Sequence, residues 1–350
     1  MGKGPSLPHP SSIFIWVRFA RAGAACCVFL ALFLCVDSHL SAAQNSSEMP
    51  GEEIIANLAA GRVILCVAKD GIIIGTIENP IEAQTHVPAP VALAGRRAGV
   101  VLGAVDWFSP SSRVQLARLD RELPQLRPRM GGASPHLQAP SAGVEAQDIE
   151  AIGQGLLERL SDIARQLHGK IDLPDNQPVV QVVLADYLEG YGPEIWELSY
   201  SIDQEFQQAD YWNTRFERPV YQQFYPPKKG EPHTLVEFKY PPEDASPALI
   251  DLLRQNDPRL AAIRASDAKM AQVVTKLLGG ESTKIPSEDA VQFLRAAMEA
   301  IAAPKTRETM GIIRPDSGFD WILRPPPEAT PALRLENPNR EPGAPSLVHR

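Results

Sequence analysis

The stretch RVILCVAKDGIIIGTIE, residues 62–78, decides the fold. Two apolar, β-branched runs flank Lys69-Asp70-Gly71, and Asp-Gly between such runs predicts a β-hairpin because glycine accepts positive φ. A second hairpin is predicted from the runs at residues 91–94 and 98–105, which surround Gly95-Arg96-Arg97. Both pairs are apolar at consecutive positions, so we expect both faces of their sheet to be covered.

Helical patterns follow the two hairpins. Ser109-Pro110 resembles an N-cap followed by a first-turn proline and predicts a helix that carries Leu116, Leu119 and Leu123. A second helix is predicted over residues 144–166 from one apolar stripe: Ile149, Ile152, Leu156, Leu160, Ile163 and Leu167. Residues 127–143 are rich in glycine and proline and are expected to form a flexible surface loop between the two helices.

The next unit is predicted to be mostly strand. Residues 178–202 read as strand, glycine turn and strand around Gly190-Tyr191-Gly192. Residues 203–245 are rich in aromatic residues and proline and are expected to be an insertion, with a further strand at 235–240. The aromatic residues Tyr211, Trp212, Phe216, Tyr221, Phe224 and Tyr225 are close together in the sequence. They predict a packed loop over one sheet, and the alternative is a ligand platform.

The last unit alternates helices with strands. Ser246-Pro247 repeats the cap pattern, and the helix behind it is expected to break at Asn256-Asp257-Pro258. A further helix is expected to end at Gly279-Gly280, and another to begin at Ser287. A final strand pair is predicted over residues 310–323. Strands grouped apart from helices indicate the α+β class.

The chain begins with the pattern of a signal peptide. Lys3, Arg18 and Arg21 precede an uncharged stretch at residues 22–36, and Ser41-Ala42-Ala43 precedes Gln44. This order predicts a cleavable signal over residues 1–43, hence a secreted or periplasmic protein, with a leader at 44–60. The alternative is an uncleaved N-terminal membrane anchor, although a spanning helix needs about 20 apolar residues.

Charge and cysteine content restrict the function further. The formal net charge is −8, and residues 1–43 are net positive, so the exported chain is more acidic still. An acidic chain lacks the basic face that nucleic acid requires, so we expect no nucleic-acid partner. Cys66 is the one cysteine outside the predicted signal, and its apolar strand pattern favours a buried residue over a reactive thiol. The tail at 325–350 is proline-rich and expected to be disordered.

No catalytic or cofactor motif is present in the sequence. It lacks a Gly-x-Ser-x-Gly elbow, a His-Glu-x-x-His pair, a Cys-x-x-Cys pair and a phosphate-binding glycine loop. Four histidines lie outside the signal and the tail, without ligand spacing: His86, His136, His168 and His233. We therefore predict no catalytic, cofactor-binding or metal-binding residues and no cofactor.

The order of these segments resembles a proteasome subunit of the N-terminal-nucleophile hydrolase superfamily. The corresponding segments are GRVILCVAKDGIIIGTIE, PAPVALAGRRAGVVLGAVDW, PVVQVVLADYLEGYGPEIWELSYSI and SEDAVQFLRAAMEAIAAPKTRETMGII. The resemblance covers residues 61–324, which are expected to form one domain apart from the aromatic segment. It implies a four-layer αββα sandwich, two sheets between two layers of helices.

The residues that such hydrolases use are missing from the matching positions. The resemblance implies a Thr, Ser or Cys nucleophile at the start of the first strand, where this chain has Gly61. Ile77 stands at the position of the carboxylate. The second hairpin offers Arg96 and Arg97 instead of a lysine, and arginine does not deprotonate. Proteolysis by this route is not expected.

These observations leave three functional hypotheses. The first is an exported non-catalytic protein that acts by binding a protein or small molecule, or by assembly, with a homo-oligomer possible. The second is a hydrolase with a site in the aromatic segment at 203–245 or around His86 and His233, which predicts a deep pocket and a titratable group with a shifted pKa. The third is a structural envelope component tethered by its proline-rich tail.

Overall fold

The computed structural model describes residues 55–79, 86–109, 114–126, 149–166, 178–208, 211–242 and 244–325. The predictions for the signal peptide, the loop at 127–143 and the tail beyond residue 325 fall outside these ranges. Within them, no helix combines the length and apolar character that crossing a bilayer would require.

The fold is α+β, as predicted, and is built on two antiparallel sheets. Sheet I has the order β1-β5-β7-β8-β11, with β4 and β6 also paired to β5, and sheet II has the order β12-β2-β3-β13-β14. The strands of sheet I are β1 (Ile55–Ala59), β4 (Val91–Ala92), β5 (Arg97–Ser109), β6 (Val114–Arg118), β7 (Val180–Leu188), β8 (Gly192–Tyr200) and β11 (Val220–Tyr225). Those of sheet II are β2 (Gly61–Ala68), β3 (Gly71–Glu78), β12 (Leu235–Tyr240), β13 (Glu308–Arg314) and β14 (Gly318–Leu323).

A separate hairpin and six helices complete the described fold. The hairpin pairs β9 (Ile202–Gln208) with β10 (Tyr211–Phe216). The helices are α1 (Leu119–Glu122), α2 (Ile149–Ala164), α3 (Leu249–Arg254), α4 (Pro258–Ser266), α5 (Ala268–Leu278) and α6 (Ser287–Ile301).

The hairpins predicted from the first stretch are confirmed. Ala68 pairs with Gly71, so Lys69 and Asp70 form the two-residue loop between β2 and β3. In the second hairpin, Val91 pairs with Gly99 across the turn at Gly95. The strand pairs predicted at 178–202 and 310–323 are likewise present, as β7 with β8 and β13 with β14.

Three groups of buried side chains form the core. The first joins α2 to sheet I through residues such as Ile152, Leu156 and Val182. The second joins α3, α4, α5 and α6 to sheet II, and the third combines side chains from both sheets, such as Val63 and Val183. Alternate residues of β2 and β3 belong to the second and third groups, so both faces of sheet II are covered, as the consecutive apolar positions predicted.

The helix predicted behind Ser109-Pro110 is wrong. Ser109 is the fully buried last residue of β5, and Leu116 lies on strand β6, which pairs with β5. Strand β5 extends to Ser109 and leaves backbone groups that β6 can satisfy, and this pairing overrides the leucine spacing. Leu119 and Leu123 are buried as predicted, but in the short α1 and the turn that follows it.

The cap predicted at Ser246-Pro247 is also wrong in detail. Helix α3 begins at Leu249, and no side chain of its N-cap residue Ala248 can serve as a cap. The Leu249 N–H instead donates to Glu237 Oε2 at 2.8 Å. Asp257 ends this unit as expected, but it also caps α4, since its carboxylate accepts from Arg259 N–H. Helix α4 was not predicted from the sequence.

The aromatic segment at 203–245 is not a packed loop over one sheet. Strand β11 forms an edge of sheet I beside β8, whereas β12 forms an edge of sheet II beside β2. The segment therefore adds one strand to each sheet, with the β9–β10 hairpin before them. The strand predicted at 235–240 is confirmed as β12, whereas β11 was not predicted and pairs with β8 across the intervening β9–β10 hairpin.

Candidate functional site

Gly61, at the position where the resemblance implies a nucleophile, has no room for a side chain. It begins β2 and lies between Glu78 of β3 and Tyr240 of β12. Its φ is +150°, and a Cβ built there would lie 2.1 Å from the carbonyl oxygen of Ile77. A threonine, serine or cysteine therefore cannot occupy this position without a shift of the backbone.

The cavity beside Gly61 contains charges that are already paired. It has a volume of about 280 Å³ and is lined by Gly61, Arg62, Ile77, Glu78, Asn79, Asp244, Ser246, Ile301, Ala302 and Ala303. Arg62 Nη1 lies 3.3 Å from Glu237 Oε1, and Arg62 Nε lies 3.9 Å from Asp244 Oδ2. Arg307 Nε donates to Glu78 Oε2 at 2.7 Å. These ion pairs cross between segments distant in sequence and hold this end of sheet II together.

Ser246 supplies the hydroxyl group of this cavity, and the sequence analysis missed it. Its Oγ is buried and makes no hydrogen bond within the residues that the structure describes. Its N–H donates to Asp244 Oδ1 at 2.9 Å, and its carbonyl accepts from Lys239 Nζ.

Asp244, the carboxylate that accepts from Ser246, is a poor general base. Burial would raise the pKa of Asp244, but interactions with Ser246 and the positive charges of Arg62 and Lys239 outweigh burial and lower it. A carboxylate with a lowered pKa accepts a proton weakly at neutral pH. Within the described residues, the hydroxyl of Ser246 therefore lies beside a weakly basic carboxylate and no other general base.

Cys66 is a core residue, as the sequence predicted. It lies on β2 with 2% of its surface exposed and packs in the sheet II core. Burial raises the pKa of its thiol to about 12, so the reactive thiolate is suppressed at neutral pH.

The two described histidines, His86 and His233, lie in separate contacts. His86 Nε2 is 3.1 Å from Asp106 Oδ2. His233 Nδ1 is 3.1 Å from the hydroxyl of Tyr225. His136 and His168 lie outside the described residues, and among those described no three His, Cys, Asp or Glu side chains form a group that could hold a metal ion.

Where the structure describes their side chains, the aromatic residues of the 203–245 segment do not form one platform. Phe206 stacks edge-on against Trp212, with ring centroids 5.4 Å apart, and Phe216 stacks against Trp107 at 6.1 Å. Phe224 stacks against Phe238 at 4.8 Å. Each pair belongs to a different strand pair or layer, so the aromatics serve as local packing contacts.

A cavity of about 350 Å³ does exist beside His233, as the hydrolase hypothesis requires. It is lined by residues of β11, β12 and the turn between them, and burial raises the pKa of Tyr225 and of Glu237 there. The Thr234 hydroxyl in its wall donates to the Leu277 carbonyl at 3.4 Å. No hydroxyl among its described lining residues is hydrogen-bonded to His233 except the phenol of Tyr225.

A larger cavity, of about 570 Å³, lies where α2 begins above sheet I. Its lining residues are Arg97, Ile149, Glu150, Asp186, Leu188, Glu194, Trp196 and Tyr221. Arg97 pairs with Asp186 across β5 and β7, and Asp186 pairs with Glu194 across β7 and β8. Three ionisable side chains therefore stand in one row across sheet I.

The centre of this row is a buried ion pair. Arg97 donates from Nε to Asp186 Oδ2 at 2.8 Å and also from Nη2 to the same oxygen. Their side chains are only 4% and 6% exposed. Glu194 Oε2 accepts from the indole N–H of Trp196 at 2.8 Å. The structure thus places Arg97 away from Gly61 and in a different cavity from the one that the resemblance implied.

Sequence reasoning could not have assembled this row. Arg97 was noted only as a residue unable to replace a catalytic lysine, and Asp186 and Glu194 were unremarked strand residues. Their proximity depends on the register between β5 and β7, which are separated by α2 and by the segments around it.

No protein-family model matches this chain, and no curated protein matches it significantly. Its function is therefore inferred from the cavities and side chains described above.

Proposed function

We propose that this protein is an exported, non-catalytic protein on a proteasome-like αββα scaffold, and that it acts by binding. The scaffold is supported by the order of the elements and by the three core groups, which join α2 to sheet I, sheet I to sheet II, and sheet II to the remaining helices α3–α6. Export is supported by the sequence pattern that ends at Ser41-Ala42-Ala43.

The conformation of Gly61 is the observation that supports a non-catalytic protein. An N-terminal-nucleophile hydrolase needs a side chain with an attacking atom at the start of this strand. Here φ is +150° and the Ile77 carbonyl occupies the space that a Cβ would take. Arg62, which lines the cavity, pairs with Glu237, and the cavity's Glu78 accepts from Arg307, so these charges hold strands together.

Binding is assigned to the larger cavity at the beginning of α2. Its volume of about 570 Å³ lies within the usual range for small-molecule sites. It combines aromatic and aliphatic walls with a few polar groups, the composition that fixes a small ligand in one orientation.

Hydrolysis assays test the non-catalytic assignment. We expect the purified full chain to leave a broad library of peptides, amides and esters uncleaved above the buffer rate. Ser246→Ala and His233→Gln are the informative variants. The first removes the Ser246 hydroxyl from the cavity beside Gly61, and the second removes the histidine of the 203–245 segment. Turnover by the full chain that either substitution abolishes would contradict the proposal and favour the hydrolase.

Export is tested separately by N-terminal sequencing of the protein recovered outside the cytoplasm. We expect a first residue at or near Gln44. Recovery of the intact residues 1–43 in a membrane fraction would instead establish an anchored protein.

A further inference from the structure

The row Arg97–Asp186–Glu194 places two carboxylates directly opposite each other. Asp186 and Glu194 are cross-strand partners on one face of an antiparallel pair. Side chains in such positions have Cβ atoms about 5 Å apart, and like charges there are destabilising. The arrangement costs folding free energy, so a positive charge beside Glu194 would be favoured.

Arg97 supplies only part of that positive charge. Both of its hydrogen bonds to Asp186 end on Oδ2, and Asp186 Oδ1 accepts no side-chain hydrogen bond within the described part of the chain. The bond that Glu194 accepts comes from the neutral indole of Trp196. Among the described lining residues, the Arg97 guanidinium therefore pairs with Asp186, and the hydrogen bond to Glu194 comes from an uncharged group.

The walls of the cavity suit the apolar part of a cationic ligand. Trp196 and Tyr221 present aromatic rings, and Ile149 and Leu188 present aliphatic surface. The faces of aromatic rings attract cations electrostatically. Tyr221 packs against α2 at Gly153, where a Cβ would lie 2.2 Å from the Tyr221 hydroxyl, so this ring is positioned by the absence of a side chain.

We propose that the cavity formed by Asp186, Glu194, Trp196 and Tyr221 binds a small organic cation: a primary ammonium or guanidinium group on an apolar body. This inference rests on the proposed function, since it specifies the ligand class of the same binding cavity. The cationic group lies beside Glu194 and Asp186 Oδ1, and the apolar body lies between the aromatic rings.

Three probes of similar shape and different charge test the ligand class. Phenethylammonium is the cation, 2-phenylethanol the neutral control and 3-phenylpropanoate the anion, each titrated calorimetrically into the full chain. We expect the ammonium to bind at least about tenfold more tightly than the alcohol, a difference of about 1.4 kcal/mol, and the anion not to bind. Added salt should weaken the binding of the cation.

Variants locate the site of binding. Glu194→Gln keeps an acceptor for the Trp196 indole and should weaken phenethylammonium binding about tenfold. Trp196→Leu should weaken it by a similar factor. Glu205→Gln, which changes an exposed carboxylate on β9, is the matched control and should leave the affinity unchanged. Thermal melting of each variant shows whether it has folded.

Three results would overturn the inference: equal binding of the alcohol, preferred binding of the anion, or unchanged affinity in a folded Glu194→Gln variant. Failure of all three probes to bind at millimolar concentration would overturn it as well. These outcomes would leave the non-catalytic assignment of the protein standing, because the titrations do not measure turnover. The proposed function would fail in the hydrolysis assays instead, by turnover of a substrate.

Discussion

The two cavities differ in whether their charges are balanced. Among the described residues around Gly61, three cations face three carboxylates: Arg62, Lys239 and Arg307 with Glu78, Glu237 and Asp244. In the described lining of the cavity above sheet I, Arg97 pairs with Asp186, whereas Glu194 accepts from a neutral indole beside two aromatic rings. The first arrangement closes a seam between strands, whereas the second leaves Glu194 without a described cationic partner. Charge balance therefore distinguishes a structural ion network from a binding cavity within one fold.

The largest effect is expected from breaking the ion pair of the binding cavity. Asp186→Ala leaves Arg97 buried without its carboxylate, and this should cost about 3–5 kcal/mol of unfolding free energy, measured by denaturant titration. Arg97→Leu combined with Asp186→Leu should recover most of the loss, because neither the buried guanidinium nor its buried carboxylate partner remains.

Arg215→Ala is the matched control for the ion-pair experiment. Its side chain is 72% exposed and pairs with Asp203 on the β9–β10 hairpin. Because solvent screens this pair, its loss should change the unfolding free energy by less than about 0.5 kcal/mol. If Asp186→Ala lowered the unfolding free energy no more than Arg215→Ala does, the Arg97–Asp186 pair would not behave as a buried ion pair.

The second largest effect is expected at Gly61. Gly61→Ala combines a positive φ with a contact of 2.1 Å to a backbone carbonyl, so it should cost about 3 kcal/mol or more. Gly190→Ala is the control, because Gly190 has φ +80° but nothing within 4 Å of its Cβ position. It should cost only about 1–2 kcal/mol. Equal losses would mean that the Ile77 carbonyl does not block a side chain at Gly61.

The sequence predicted those parts of the fold in which local signals and pairing agree. The β2–β3 hairpin was predictable because Lys69-Asp70-Gly71 separates two strands that pair with each other. The strand β6 was not, because its pairing with β5 overrides a leucine spacing that favours a helix. The strand β12 was predicted at 235–240, but its pairing with β2 was not, because the two strands are far apart in the sequence. The edge strand β11, beside β8, was not predicted at all.

The candidate sites were predictable only where one residue type decides the chemistry. A glycine at position 61 has no side chain that could attack a substrate, so the sequence alone excludes a nucleophile there. The apolar neighbours of Cys66 predict that it is buried. The charged row above sheet I depends instead on a register that juxtaposes Arg97, Asp186 and Glu194 from three strands. No local pattern encodes such a register.

Near Gly61, pH is expected to have a smaller effect on the free energy of unfolding, with opposite signs at the carboxylates of Glu237 and Asp244. Burial raises the pKa of Glu237 from 4.5, against the opposing Leu249 N–H and Arg62. The stability that Glu237 contributes is therefore complete below pH 4.5 and is lost as pH rises through the raised pKa. The pKa of Asp244 is lowered from 3.8, so its contribution is present above pH 3.8 and is lost as pH falls through the lowered value.

Two substitutions separate these contributions. Relative to the unsubstituted chain, Glu237→Gln should gain stability as pH rises above 4.5, and Asp244→Asn should lose it between acid and neutral pH. Each change should be less than about 1 kcal/mol, followed by urea unfolding at a series of pH values. Parallel pH profiles for the two variants would contradict the opposite shifts.

The smallest effect is expected at Cys66, which should not react at all in the folded chain. Because burial raises the pKa of its thiol to about 12, iodoacetamide at mildly alkaline pH should leave Cys66 unmodified and should modify it after denaturation. Peptide mapping by mass spectrometry distinguishes Cys66 from Cys26, Cys27 and Cys35. Modification of Cys66 in the folded chain would place a thiol within reach of solvent.

Nuclear magnetic resonance with phenethylammonium compares the two cavities in a single titration. The Trp196 indole N–H, which donates to Glu194, reports on the cavity above sheet I, and the Gly61 amide reports on the other. We expect the Trp196 signal to shift progressively to saturation while the Gly61 signal stays in place. A shift of the Gly61 amide with an unchanged Trp196 indole would contradict it.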